Sequence, residues 1–279
     1  MICITVALSW EAQPLIEYYN LSSIESPHFR IYGNEQMRLI ISGVGKLRSA
    51  IATTYILSHI GDIDNCAAVN VGLCGAYDQD YAVGTPILIN KVKDMDTGYE
   101  YFPDILFSHD TVEGALETHR KVVSRGDNFK LHEQLEGQFV DMEAAGFFEA
   151  ASVFLPPHRI SCIKVVSDHL GGTRLNREDI AKMIGRSISH IDNVCTYMRW
   201  DIENVAQVLD DEDRDYLEDI ANHLRLTTAQ TYELFDMAFK YKLRTRRELP
   251  MFDYVDIHVE SKREGKRELE RIRQKFWSQ

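Results

Sequence analysis

Hydrophobic residues fall along this chain in short unbroken runs separated by longer amphipathic stretches. Residues 2–8 (Ile-Cys-Ile-Thr-Val-Ala-Leu) form an apolar run suited to a strand covered on both faces. Residues 38–42, 66–71, 86–90 and 160–166 repeat that pattern, with Pro86 confined to the first position of its strand. Between them a period near 3.6 predicts helices. One starts at Ser9 as N-cap, with Pro14 in its early turns. A second covers 47–60 with Ala50, Ile51, Thr54 and Leu57 on one side. A third covers 140–151 and its flank, with Met142, Ala145, Ala150 and Val153 at helical spacing. A fourth runs over 178–197 with Ile180, Ile184, Ile188, Ile191 and Val194 in one stripe. Residues 94–103 have no period and read as a loop, and 122–129 as a short strand entering a polar turn. Strands alternating with helices predict a three-layer α/β/α domain around a central twisted, largely parallel mixed sheet.

That alternation stops near residue 199, so the chain divides into a domain of residues 1–199 and a helical extension of residues 200–279. In the extension, Tyr216, Ile220 and Leu224 share a stripe after an acidic start, and Thr227 is a candidate N-cap for the next helix. Lys240, Lys242, Arg244, Arg246 and Arg247 follow, in a pattern faintly like a helix-turn-helix. The acidic first half would repel DNA, which favours a small helical bundle with a solvated basic face. Residues 260–275 predict a last helix, with Leu269, Ile272 and Phe276 placed to dock on the core or on a protein partner.

Composition narrows the function classes. A net charge of −12 argues against nucleic acid or anionic membrane as the main partner. Cys3, Cys66, Cys74, Cys162 and Cys195 lack CxxC spacing and lie mostly in apolar runs, as reduced thiols of a cytoplasmic protein would. The first strand directly follows Met1, which leaves no room for a signal peptide, and no apolar run reaches the ~18 residues of a membrane span. The glycines of Gly43-Val44-Gly45-Lys46 fit neither the dinucleotide fingerprint nor the P-loop, so no such cofactor is expected. No metal is expected either: His169 has no second ligand at a metal spacing and reads as a solvated loop residue.

Three acids fall at strand or helix ends, where an α/β sheet gathers its binding crevice. Glu11 follows the first strand, Glu143 interrupts an apolar run and Asp168 stands at the mouth of the last strand. Each also has a plain reading as a helix-dipole or turn-capping acid. The turn at Gly43 could cradle an anion or a sugar through backbone N–H groups. The small residues of Gly72-Leu73-Cys74-Gly75, at a strand end, would let a flat ligand approach the backbone. Phe129, after a strand, is either a packing residue or a ligand platform.

Taken together, Ala7-Leu8-Ser9-Trp10-Glu11, Ser42-Gly43-Val44-Gly45-Lys46, Asn70-Val71-Gly72-Leu73-Cys74-Gly75, residues 123–129, Val140-Asp141-Met142-Glu143-Ala144 and Val165-Val166-Ser167-Asp168 resemble the nucleoside phosphorylase superfamily. Within it they are closest to the methylthioadenosine/S-adenosylhomocysteine nucleosidases. The resemblance covers about two thirds of the chain. It implies a homodimer, no cofactor, and an N-ribosyl hydrolase acting on a purine nucleoside at the C-terminal edge of the sheet. Glu11 matches the carboxylate that activates water, Glu143 the one that binds the ribose hydroxyls, and Met142 packs against the sugar. Asp168, positioned by Ser167 and kept protonated by burial, matches the acid at N7 of the purine. Phe129 matches the aromatic that stacks on the base, and Tyr99 the residue that reaches the partner subunit's site. Trp10, the short stretch before Ser124 and Gly171-Gly172 depart from the family pattern and bear on which substituent fits. Phosphorolysis is the alternative, but the first strand's loop holds no arginine, and Arg48 reads as a residue of a solvated helical turn. A nucleoside-sensing adaptor that signals through residues 200–279 is the non-enzyme reading.

Overall fold

The computed structural model describes residues 1–124, 138–171 and 175–277, apart from 253, 255, 256, 258, 260 and 261. The chain forms two compact units, Met1–Ile105 with His109–Ile202 and Leu106–Ser108 with Glu203–Gln279. In the first unit, β1 (Ile2–Val6), β4 (Met37–Ile41), β5 (Ala67–Ala76) and β10 (Ile160–Asp168) lie parallel in the order β4-β1-β5-β10. Their unbroken apolar runs are buried on both faces, as a sheet covered by helices requires. β2 (Ser22–Ile24) and β3 (Arg30–Gly33) extend one edge antiparallel to β4.

At the other side, β6 (Pro86–Asp94), β8 (Val112–Thr118) and β9 (Phe139–Asp141) link β10 back to β5. The ring β5-β10-β6-β8-β9 is therefore closed, a feature the hydrophobic runs did not reveal. β8 escaped notice because Glu113, Gly114 and Glu117 interrupt its apolar alternation. Residues 122–124, expected in a strand, are irregular. The 94–103 loop contains a two-residue strand, β7 (Glu100–Tyr101), paired with β6.

β5 runs four residues beyond Gly72, where glycine was expected to end it. A Cβ at Gly72 would lie 3.2 Å from Glu11 Oε1 and 3.4 Å from Lys164 Nζ. Glycine here clears space for charged side chains without breaking the strand.

Helix α1 (Ser9–Tyr18) begins at Ser9, but its N-cap is Leu8, and no side chain caps it from that position. Glu11, in the first turn, accepts the Leu8 N–H instead. Of the residues expected on one side of helix α2 (Lys46–Ser58), Leu57 is buried while Ile51 and Thr54 are exposed. Ser49, Ala52 and Thr53 face inward, while Leu47 and Ile51 are 76% and 60% exposed. The cause is close helix packing: a Cβ on Gly146 would come within 2.0 Å of the Lys46 carbonyl oxygen. At that crossing with helix α3 (Ala144–Ala151) position 146 has no room for a side chain. α3 starts after Glu143, because residues 139–141 belong to β9, and Val153 is exposed beyond its end. The long helix expected over 178–197 is two, α4 (Arg177–Arg186) and α5 (Ile188–Val208), separated at buried Ser187, whose hydroxyl donates to the Met183 carbonyl.

The second unit contains α6 (Asp211–His223), α7 (Thr228–Thr245) and α8 (Lys262–Trp277) around Leu217, Ile220, Leu234, Tyr241, Leu269 and Phe276. α8 packs its apolar stripe inside this bundle. The basic residues of α7 are not all solvated: Lys242 pairs with Asp213, and Arg244 donates to the Phe276 carbonyl. No described helix is long and apolar enough to cross a membrane.

Candidate active site

Past the C-terminal ends of β1, β5 and β10 lies a cavity of about 270 Å³. Glu11, Cys74, Gly75, Met142, Glu143, Ser167 and Asp168 all line it. Residues 11, 143 and 168, far apart in sequence, thus share one enclosure.

Glu11 is 3% exposed. Its Oε2 accepts the N–H groups of Leu8 (2.7 Å) and Ala7 (3.0 Å), and its Oε1 that of Leu73 (3.2 Å). Burial raises its pKa above the ordinary carboxylate value, against the pull of these donors and of Lys164. Glu143, the N-cap of α3, is also buried; its Oε1 accepts the Gly45 N–H at 2.7 Å. Desolvation, joined by the nearby Asp141 charge, pushes it up to about 7. The Gly43–Gly45 turn does cradle an anion, then, but the anion is the protein's own carboxylate. Gly43 itself donates to the Ala7 carbonyl and does not line the cavity.

The sequence reading missed the charge that balances these acids. Lys164 in β10 is 1% exposed, and its Nζ lies 2.9 Å from Asp141 Oδ2. Burial alone would lower the lysine pKa, but Asp141, Cys162 and Glu143 outweigh it and keep the ammonium charged. Asp141 is fixed in turn by the Thr118 hydroxyl (2.7 Å) and the Ala144 N–H (2.8 Å). A lysine inside an otherwise apolar strand was the available signal, since such a charge needs a partner.

Asp168 is half-buried rather than enclosed. Its Oδ1 accepts the Leu170 N–H at 2.8 Å, and its Oδ2 lies 2.7 Å from the Ser167 hydroxyl, which also reaches the Cys74 carbonyl at 3.0 Å. Gly75 faces a side chain rather than open space: a Cβ there would meet Leu170 Cδ2 at 2.6 Å. Leu170 itself holds a left-handed φ of 59°, a strained backbone of the kind that collects at functional sites. His169 is not a free loop residue, because its Nε2 lies 2.8 Å from the Tyr81 carbonyl. Tyr99 is 64% exposed and away from the cavity. Phe129 lies outside the described residues.

Arg48 is exposed in the first turn of α2. Its side chain lies over Gly43, where a Cβ would stand 3.1 Å from Arg48 Cδ. It lines a second cleft with Arg30, on the other side of Ala7 and Leu8. Among the described residues no group of three His, Cys, Asp or Glu side chains is placed to hold a metal ion.

A partly parallel sheet that gathers three carboxylates past its strand ends defines the class of protein: an α/β protein with an acid-lined small-molecule pocket. Residues 1–197 match the sequence profile of the phosphorylase superfamily, and the chain belongs to that family. Its fold is similar to the native structure of futalosine hydrolase of Helicobacter pylori (TM-score 0.60, 16% identity). It is similar also to methylthioadenosine/S-adenosylhomocysteine nucleosidases of Neisseria meningitidis, in complex with methylthio-immucillin-A (TM-score 0.58, 20%), and of Streptococcus pneumoniae (0.58, 23%). Each match covers 70% of this chain and 97% of the other. No curated protein matches the chain.

Proposed function

We propose that this protein is a purine nucleosidase, hydrolysing the N-glycosidic bond of a 5′-substituted adenosine or a related nucleoside without metal or cofactor. The observation that carries the reading is the convergence of Glu11, Glu143 and Asp168 on one cavity.

Cleavage of an N-ribosidic bond builds positive charge on the sugar while the purine takes up the bonding electrons. Asp168 delivers a proton to N7 of the leaving base. The Ser167 hydroxyl donates to Asp168 Oδ2 and holds the carboxyl in place for that transfer. Glu143 accepts the ribose hydroxyls, with Met142 against the sugar, and its negative charge favours the cationic transition state. Glu11 takes a proton from water at the sugar's other face. A carboxylate raised by burial is a stronger base than a solvated one, which suits that task.

Water is favoured over phosphate because the amides of Ala7, Leu8 and Leu73 are already occupied by Glu11. A free anion would find neither donors nor a compatible charge there. Phosphorolysis keeps one supporting feature, the arginines of the neighbouring cleft.

The active form in this reading is a homodimer. Val44, Leu47 and Ile51 are exposed apolar side chains along the start of α2, and Tyr99 and Phe102 are exposed on the β6–β7 segment. Lys46 ties the two together through Asp94 (2.6 Å) and Asp96 (2.7 Å). Exposed apolar side chains on two segments tied together in this way suit an interaction surface, and a second copy would bring Tyr99 toward the neighbouring site.

The test is a panel of nucleosides assayed for free base, with and without phosphate, on wild type and Glu11→Gln. Adenine release without phosphate, lost in the variant, supports hydrolysis. A strict phosphate requirement overturns it. Ligand binding with no base release from any nucleoside would favour a sensing protein.

A further inference from the structure

The cleft beyond Ala7 and Leu8 has a volume of about 570 Å³, within the range of small-molecule sites. Its walls carry Arg30, Arg48 and His28 together with the hydroxyl residues Ser9, Ser26 and Ser42, and no carboxylate. In a chain with 43 acidic against 31 basic residues, that is an unusual lining. Neither arginine makes an ion pair among the described residues. Both are placed by the fold. Arg30 opens β3 directly across from Ile41, the last residue of β4. Arg48, in the first turn of α2, lies back over Gly43, whose φ of +84° and missing side chain leave room for the guanidinium. Two guanidinium groups facing one concave surface suit an oxyanion, because each offers planar, charge-assisted donors.

The cleft and the acid-lined cavity both have Ala7 and Leu8 in their walls, so the two are neighbours. On the nucleosidase reading, Asp168 takes the base, Glu11 the anomeric face and Glu143 the ribose hydroxyls. Only C5′ is left as an exit for a substituent. We infer that the Arg30–Arg48 cleft binds an anionic group, carboxylate or phosphate, carried on the 5′ position of the substrate nucleoside. This inference rests on the nucleosidase reading for its geometry, while the cleft itself does not depend on it.

The experiment compares neutral substrates (adenosine, 5′-methylthioadenosine) with anionic ones (adenosine 5′-monophosphate, adenosine-5′-carboxylic acid) on wild type and on the Arg30→Gln/Arg48→Gln double variant. Wild type is expected to favour the anionic set in kcat/KM by about tenfold or more, as expected for hydrogen bonds to a charged group. The variant should lose about 10–100-fold on that set and less than about threefold on the neutral set. Inorganic phosphate should compete with the anionic substrates and leave the neutral ones unaffected. Equal handling of both sets by wild type, or an equal loss on both in the variant, overturns the inference and leaves the nucleosidase intact. Ribose 1-phosphate among the products also overturns it, since the cleft then holds a free co-substrate. If no nucleoside is cleaved, the function reading fails, and calorimetric titration of adenosine 5′-monophosphate against adenosine takes over. Tighter binding of the monophosphate that disappears in the double variant still establishes the anion site; equal binding removes it.

Discussion

The two units of this protein bury charge for different reasons. In the C-terminal bundle, buried Asp213 completes a reciprocal cap with Asp210 at the start of α6 and pairs with Lys242, and buried Glu268 lies 3.0 Å from Arg271. Each of those acids has a structural partner and a structural task. In the N-terminal unit, Glu11, Glu143, Asp141 and Lys164 sink into the core together beside a cavity. There the acids outnumber the cation, and two of the three carboxylates are held with raised pKa values. A fold seeking stability alone would gain by replacing such groups with apolar ones. Uncompensated buried charge at a cavity, rather than buried charge as such, is what separates a site from a scaffold.

The sharpest way to break that contrast is to neutralise the acids that face the cavity. Glu11→Gln and Asp168→Asn should each lower kcat for base release by about 10²–10⁴-fold, the range for one acid–base role. Glu11→Gln keeps the shape but turns an NH2 toward a buried backbone donor that a carboxylate oxygen now accepts, so its thermal midpoint should fall. A variant that keeps wild-type turnover would return these residues to plain capping acids.

Lys164 sharpens the contrast from the other side. Lys164→Met strips the cation from Asp141, which is 7% exposed, and should cost about 3–5 kcal/mol in chemical denaturation, as breaking a buried pair does. Adding Asp141→Asn should recover part of that loss. No recovery would mean that the lysine acts through packing and not through charge.

The pH response should follow Glu143. With a folded pKa of about 7, the group is neutral below that value and ionised above it. kcat/KM should therefore rise with pH through an apparent pKa near 7, and Glu143→Gln should flatten that limb. Stability runs the opposite way. The folded chain retains a proton that the unfolded chain releases from about pH 4.3 upward, so this contribution is full below that pH and is lost as pH rises through 7. Urea unfolding of wild type and Glu143→Gln at pH 5 and pH 8 checks the sign. Because Glu143 lies among the charges of Asp141, Lys164 and Glu11, the fitted value belongs to the cluster rather than to one residue.

How much of this could be read from the chain depended on how local each cause was. The parallel strands were legible because burial on both faces writes an unbroken apolar run. Thr227 was legible because a capping box repeats at fixed spacing. Glu11, Glu143 and Asp168 stood out as acids at element ends, and their meeting at one cavity needed the register of β1, β5 and β10. The stripe expected on α2 is only partly buried, because hydrophobicity marks burial where the burying surface has room; Gly146 against Lys46 leaves none. Arg48 was weighed only as a phosphate ligand and Arg30 gave no signal, since a cleft between β4 and the starts of α1 and α2 is a product of folding.

The smallest effect tests the scaffold half of the comparison. Thr227 is the N-cap of α7; its hydroxyl lies 3.4 Å from the Gln230 amide, and its own N–H donates to Gln230 Oε1 at 2.9 Å. Thr227→Ala leaves a first-turn donor without its partner and should cost about 1 kcal/mol, read as an earlier unfolding transition of the bundle. It removes no charge from the core and touches no residue of the cavity. If the bundle is scaffold, base release at a temperature where the variant stays folded should equal wild type. Should turnover fall along with the cap, the helical unit takes part in catalysis, and charge buried with a structural partner would no longer mark a region without a functional role.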